Sequence, residues 1–118
     1  MSETESKLTV DGAKAYNLAQ MTEYQEGAVV SRTLLKNASG TLTVFSFDAG
    51  QSLSEHTVPF NAFIQVLDGE GEITVAGKMS VVKPGEIILM PGGLPHSVHA
   101  TQRFKMLLIM FRTKVTPG

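Results

Sequence analysis

Cysteine and tryptophan are both absent from this 118-residue chain, and neither sign of charge dominates it. Without cysteine, the chain has no disulfide framework, no thiolate ligands for zinc or iron–sulfur clusters and no catalytic thiol. Ten basic residues against eleven acidic ones give a net charge of −1. This balance argues against a nucleic-acid partner, because nucleic-acid-binding domains are usually basic.

Long apolar runs are also lacking. No segment reaches the ~18 apolar residues of a membrane-spanning helix, so we expect no membrane partner. The first six residues are polar and acidic, without the apolar stretch of a signal peptide. These features predict a cytoplasmic protein.

What the chain does contain favours β-structure. Val, Ile and Thr supply 27 of the 118 residues, and β-branched side chains suit pleated sheets. Eleven glycines and five prolines provide many turns between short strands. The length fits a single domain.

Patterning along the chain predicts a flexible tail over residues 1–12 and one folded domain over residues 13–118. A short helix or turn is predicted within residues 13–24, because Leu18 and Met21 are spaced three residues apart after Asn17. No helical pattern follows. Short strands at regular spacing with turn residues between them are typical of a sandwich or barrel. The predicted strands cover residues 28–35, 41–47, 53–58, 63–67, 72–76, 79–82, 86–90, 96–101 and 104–111.

The last predicted strand is apolar at six consecutive positions, residues 106–111. A strand of this kind is usually covered on both faces. One face would enter the core. The other would be covered either by a second subunit or by the chain's own N-terminal helix, and we favour a homodimer.

Two spaced motifs resemble those of the cupin superfamily, over residues 41–111. The first family motif is Gly, five residues, His-x-His, three or four residues, Glu, six residues, Gly. The second is Gly, five residues, Pro-x-Gly, two residues, His, three residues, Asn. The residues in register are Gly50, His56 and Gly69 in the first motif, and Gly85, Pro91, Gly93 and His96 in the second. The resemblance implies a small cupin of the conserved-barrel type, an all-β double-stranded β-helix forming a jelly-roll-like barrel.

The first motif is degenerate. The resemblance implies a metal bound by two histidines and a glutamate of the first motif and the histidine of the second. This chain keeps His56 and His96, but Val58 stands at the other histidine position and Ala62 at the glutamate position. Ala100 replaces the asparagine of the second motif. Half of the implied ligand set is therefore missing.

Strand alternation predicts which residues share a face with the two histidines. Ser54 and Val58 would lie beside His56, and Val98 beside His96. If both faces point into the barrel, the histidines converge in its mouth, and small barrels can hold one small ligand. The predicted ligand-binding residues are Ser54, His56, Val58, Ala62, His96 and Val98.

Other polar residues near the motifs could complete a metal site around His56 and His96. By alternation, Glu55 and His99 face away from the neighbouring motif histidines, and Gln65 faces away from Ala62. Asn61 follows a proline that resets the alternation, so it is the least excluded. For His99 we favour an exposed strand position.

The sequence leaves three functions open. The leading hypothesis is a small-molecule-binding cupin with a mainly apolar pocket, because two metal ligands are lost. The alternative is a metal-dependent enzyme of the dioxygenase or isomerase type, with His56 and His96 holding a divalent transition metal. A third is a metal-free acid–base enzyme using either histidine, whose ordinary pKa lies near neutrality.

Overall fold

The computed structural model describes residues 7–114, which form ten strands and one short 3-10 turn. The strands are β1 (Lys7–Leu8), β2 (Val29–Asn37), β3 (Gly40–Phe47), β4 (Ser52–His56), β5 (Phe60–Asp68), β6 (Gly71–Val75), β7 (Lys78–Val82), β8 (Ile87–Met90), β9 (His96–His99) and β10 (Phe104–Lys114). The turn, Leu18–Gln20, lies between β1 and β2. No helix in this part of the chain has the length and apolar character needed to cross a membrane.

The strands form two antiparallel sheets that face each other. One has six strands in the order β1-β2-β3-β10-β5-β8, and the other has four in the order β4-β9-β6-β7. Side chains from both sheets meet in one core, with Phe47 and Ile64 from the larger sheet against Ile73 and Val98 from the smaller. The predicted all-β, jelly-roll-like barrel is confirmed.

The N-terminal segment is more ordered than its composition indicates. Residues 1–6 of the predicted tail, and residues 115–118 of the predicted domain, lie outside the described range. Within the tail, Lys7 and Leu8 pair with Lys36 and Leu35 of β2, so this part is a strand. The predicted short helix or turn within residues 13–24 is the 3-10 turn. Its start is capped by the Asn17 side chain, which accepts a hydrogen bond from the amide of Ala19.

Polar contacts hold this segment on the barrel. Lys105 Nζ donates to the carbonyl oxygens of Ala19 and Thr22, at 2.5 and 2.7 Å. The Tyr24 hydroxyl donates to the Asp68 carboxylate at 2.5 Å. Burial raises the pKa of Tyr24, and the bond to Asp68 raises it further. The phenol therefore keeps the proton that it donates.

The apolar run in β10 is covered on both faces by the chain itself as far as Met110, whereas Phe111 is 48% exposed. Met106 and Leu108 point between the sheets. Leu107 and Ile109 point outward and pack in a second cluster with N-terminal residues. Those residues are Val10, Leu18 and Met21. The N-terminal segment, the alternative to a second subunit, thus covers Leu107 and Ile109, and the homodimer stays a prediction.

Candidate functional site

A pocket of about 480 Å³ lies between the sheets beside the two motif histidines. Most of its lining is apolar and comes from strands of both sheets. The apolar lining residues are Phe45, Leu53, Val58, Ala62, Ile64, Met90, Val98, Met106, Leu108 and Met110. The polar ones are Ser54, Glu55, His56 and His96. Polar groups are therefore confined to β4 and the start of β9.

All six residues predicted to bind a ligand line this one pocket; they are Ser54, His56, Val58, Ala62, His96 and Val98. They differ in depth. Ala62, Val98 and His96 are buried, with 2%, 3% and 5% of their surface exposed, whereas Ser54 and His56 are exposed. Ala62 and Val98 belong to the wall, Ser54 and His56 to the mouth, and the buried His96 lies where the mouth meets the wall, in contact with His56. Their roles in binding stay predictions.

A β-bulge in β4 sets the position of His56. Leu53 pairs with Val98, and three residues later His56 pairs with His96, only two residues back along β9. Two residues of β4 therefore lie opposite one residue of β9. Such a bulge breaks the alternation of side chains and bends the strand.

The bulge corrects one detail of the alternation argument. Glu55 is exposed and lies among the residues that line the pocket, and that its side chain faces away from His56 stays a prediction. Leu53, which alternation from His56 would place outside, lines the pocket instead. Ser54 reaches the rim as part of the bulge and not by sharing a regular strand face with His56. The segment Leu53–His56 contains no glycine or proline that would signal the irregularity.

His56 and His96 contact each other at the mouth. Their Nε2 atoms lie 3.2 Å apart, and their ring centroids 4.3 Å apart at an interplanar angle of 65°. The remaining ring nitrogens face backbone carbonyls: His56 Nδ1 lies 2.9 Å from the Ser54 oxygen, and His96 Nδ1 lies 3.4 Å from the Leu94 oxygen. Burial lowers the pKa of His96, and the charge of a protonated His56 lowers it further. A positive charge on His96 is therefore disfavoured at this position.

The loop before β9 is fastened to the first motif. Gly93 donates its amide hydrogen to the Val58 carbonyl oxygen at 2.8 Å. Asn61 Oδ1 accepts from the Gly92 amide at 3.0 Å. The Asn61 side chain, considered above as a ligand, thus serves to hold the loop that delivers His96.

Two further polar residues lie away from the pocket, as predicted. His99 is exposed, with Nδ1 2.5 Å from the Ser52 hydroxyl on the outer face of the smaller sheet. Gln65 lies between buried Ile64 and Val66 in β5, so its side chain takes the opposite face. Neither residue adds a donor to His56 and His96.

The donor set does not fit the metal centre that the resemblance implies. Catalytic metals generally take at least three protein ligands. The pocket offers two imidazoles, with Val58 and Ala62 where a histidine and a glutamate would stand. Within residues 7–114, no three His, Cys, Asp or Glu side chains are grouped to hold a metal ion. We therefore do not assign His56 and His96 as ligands of a resident metal, and the metal-dependent enzyme lacks its donor set.

Comparisons with known family models and with solved structures agree on one family. A family model described as a cupin domain matches residues 43–111. A search of curated proteins finds no match. Among solved structures, a cupin 2 conserved barrel domain protein from Leptotrichia buccalis is 45% identical, with a TM-score of 0.79, over 81% of this chain and 47% of that chain. This chain thus spans about half the length of that protein.

Two other solved structures match over nearly their whole length. A conserved protein of unknown function from Streptococcus pyogenes is 33% identical, with a TM-score of 0.84 and 98% of each chain covered. A cupin superfamily protein from Desulfitobacterium hafniense is 27% identical, with a TM-score of 0.84, over 91% of this chain and 99% of that chain. With the motif spacing and the two-sheet barrel, these matches establish that the chain is a member of the cupin superfamily.

Proposed function

We propose that this cupin binds a small molecule in the pocket between the sheets, with the ligand's apolar body inside and its polar end beside His56 and His96. One observation carries the proposal. Val58 and Ala62 occupy the positions of two metal ligands, and the room beside the histidines is an apolar pocket of about 480 Å³. Ligand sites are commonly apolar clefts of ~300–1,000 Å³ with a few polar groups that orient the ligand.

The walls favour a flat body. Phe45 and three methionines line the pocket: Met90, Met106 and Met110. Methionine side chains adapt to irregular shapes, and their sulfur atoms make favourable contacts with aromatic rings. A single aromatic ring is therefore the appropriate first probe.

Methionine methyl groups report directly on binding. In the ¹³C-methyl-methionine protein titrated with benzyl alcohol, we expect resonance shifts at Met90, Met106 and Met110. Met21 packs in the second cluster and Met79 is exposed on β7, so neither should respond. Equal shifts at all five, or none at millimolar probe, would contradict the proposal.

A matched pair of variants separates pocket binding from surface binding. Val58→Phe places a ring at the pocket mouth and should weaken benzyl alcohol binding at least about tenfold. Val81→Phe makes the same change on the exposed outer face of β7 and should leave binding unaltered. Equal affinities in the two variants would place the probe outside the pocket.

A further inference from the structure

The larger sheet ends at β8, and one side of this strand is unpaired among the described strands. β8 bonds to β5 on its other side. The next edge in space is β7 of the smaller sheet, which pairs with β6. Two surface hollows of about 560 and 500 Å³ lie between β7 and β8. An edge strand with open space beside it can pair with a further strand.

The register of β5 and β8 shows which backbone groups of β8 are free. The chain just before β8 exchanges two backbone hydrogen bonds with Val66 of β5. Bonded positions recur at every second residue of an antiparallel pair, so the next two lie at Ile88 and Met90, in register with β5. The N–H and C=O groups of Ile87 and Leu89 therefore point away from β5, toward the free edge.

β8 carries neither a charge nor a proline, which protect many natural edge strands. Its sequence is Ile-Ile-Leu-Met, and Ile87 and Leu89 are 62% and 44% exposed. The apolar area continues into the sheet, because Leu89 lies opposite Phe63 of β5. The Phe63 ring in turn contacts that of Phe111, which is 48% exposed. Contiguous apolar areas on a protein surface commonly mark a site of association.

We infer that two copies of this chain associate edge to edge through β8, so that their larger sheets continue into one antiparallel sheet. With a twofold axis at Ile88, Ile87 of each copy lies opposite Leu89 of the other, and the free backbone groups of both strands meet. Glu86 then lies opposite Met90 of the other copy, so no like charges meet. The same surface of both copies forms the contact, as twofold symmetry requires.

The distribution of exposed apolar side chains fits an interface of this size. A standard interface takes about 800 Å² from each partner, and the surface of this chain is 7012 Å². Five of the eight large hydrophobic side chains that are exposed on the described residues lie on β7, on β8 or in the loop after β8; they are Met79, Val81, Ile87, Leu89 and Leu94. Apolar surface is therefore concentrated on the side of the barrel where the second copy would pair.

Hydrogen exchange of the unaltered chain tests the pairing directly, because exchange rates report which amides are hydrogen-bonded. At micromolar concentration we expect twice the chain mass and slow exchange at Ile87 and Leu89. Dilution to single chains should speed the exchange of both. Ile88 and Met90, which bond to β5, should stay protected throughout. A single-chain mass at micromolar concentration, which would leave the edge open to a strand of another protein, would overturn the inference. A dimer in which Ile87 and Leu89 exchange rapidly would also overturn it.

A matched pair of charged variants assigns the contact to this edge. Ile87→Lys places a charge at the free edge and should halve the mass. Leu8→Lys makes the same change at the opposite edge of the larger sheet, where Leu8 is 63% exposed, and should leave the dimer intact. Slow exchange at Ile88 and Met90 in Ile87→Lys would show that the single chain is folded. A dimer in Ile87→Lys, or a monomer in Leu8→Lys, would contradict the assignment.

Discussion

The amide of Gly93 donates a hydrogen bond to the carbonyl oxygen of Val58 at 2.8 Å, and this bond joins the two motif segments of the chain. The neighbouring Gly92 amide donates to Asn61 Oδ1 at 3.0 Å. Two bonds from one loop therefore fix the approach to β9. Since β9 begins at His96, they also fix the placement of His96 opposite His56.

Substitutions in this loop should destabilise the barrel to different extents. Gly93 has a φ of +85°, a conformation in which a β-branched residue is strained. We expect Gly93→Val to cost about 1–3 kcal/mol, and Pro91→Ala about 0.4–1 kcal/mol through the entropy of the unfolded chain. Thermal unfolding measures both. Gly12→Val, at an exposed glycine with open space around it, is the control. Melting temperatures equal to that control for both loop variants would show that the loop is not held as described.

Restoring the lost ligands should create a metal centre. Positions 58 and 62 line the same pocket as His56 and His96, so Val58→His with Ala62→Glu supplies three imidazoles and one carboxylate. Such a set suits zinc, iron, manganese or nickel. We expect the double variant to bind Zn²⁺ far more tightly than the parent in calorimetric titration, and its melting temperature to rise with added Zn²⁺.

The control for this design is Val81→His, which adds an imidazole on the outer face of β7. It should not gain affinity for Zn²⁺. No gain in the double variant would show that positions 58 and 62 do not share the mouth with the histidines. A purified parent protein that holds one tightly bound metal ion per chain would contradict the conclusion that the metal centre is lost.

Stability should decline in mild acid because of His96. Burial and a charged neighbour lower the pKa of this ring in the folded protein, so the unfolded chain takes up the proton first as pH falls. Above the ordinary histidine pKa of ~6.5, the ring is neutral in the folded and the unfolded chain and the stabilisation is fully present. The free energy of unfolding decreases as pH falls below that value. Urea midpoints at pH 7.5 and 5.5 should converge in His96→Gln but differ in the parent and in His99→Gln. An unchanged difference in His96→Gln would exclude this origin.

The motif spacing and strand alternation predicted much of the site, but not its details. His56 and His96 are forty residues apart in the sequence and meet at the pocket mouth, as the spacing of the two motifs indicates. The bulge that sends Leu53 inward and Glu55 to the rim depends on pairing with β9, and alternation within β4 does not contain it. The pairing of Lys7 and Leu8 with β2 is likewise a tertiary contact, between a polar segment and a distant strand edge.

A homodimer remains the expected assembly, although the apolar run in β10 does not require one. The expectation rests on the outer face of the larger sheet, at the edge formed by β8. Ile87 and Leu89 of β8 are 62% and 44% exposed, and Leu89 pairs with Phe63 of β5, whose ring contacts Phe111. Light scattering at micromolar concentration should give twice the chain mass, and Leu89→Glu should give a monomer. A monomeric parent would contradict the expectation.

A crystal structure of the protein with benzyl alcohol tests the central claim most directly, since it shows both where the ligand lies and what contacts its head group. The aromatic ring should lie among Met90, Met106 and Met110, with the hydroxyl beside His56 and His96. A metal ion held between the two histidines, or a probe bound outside the pocket, would contradict the account.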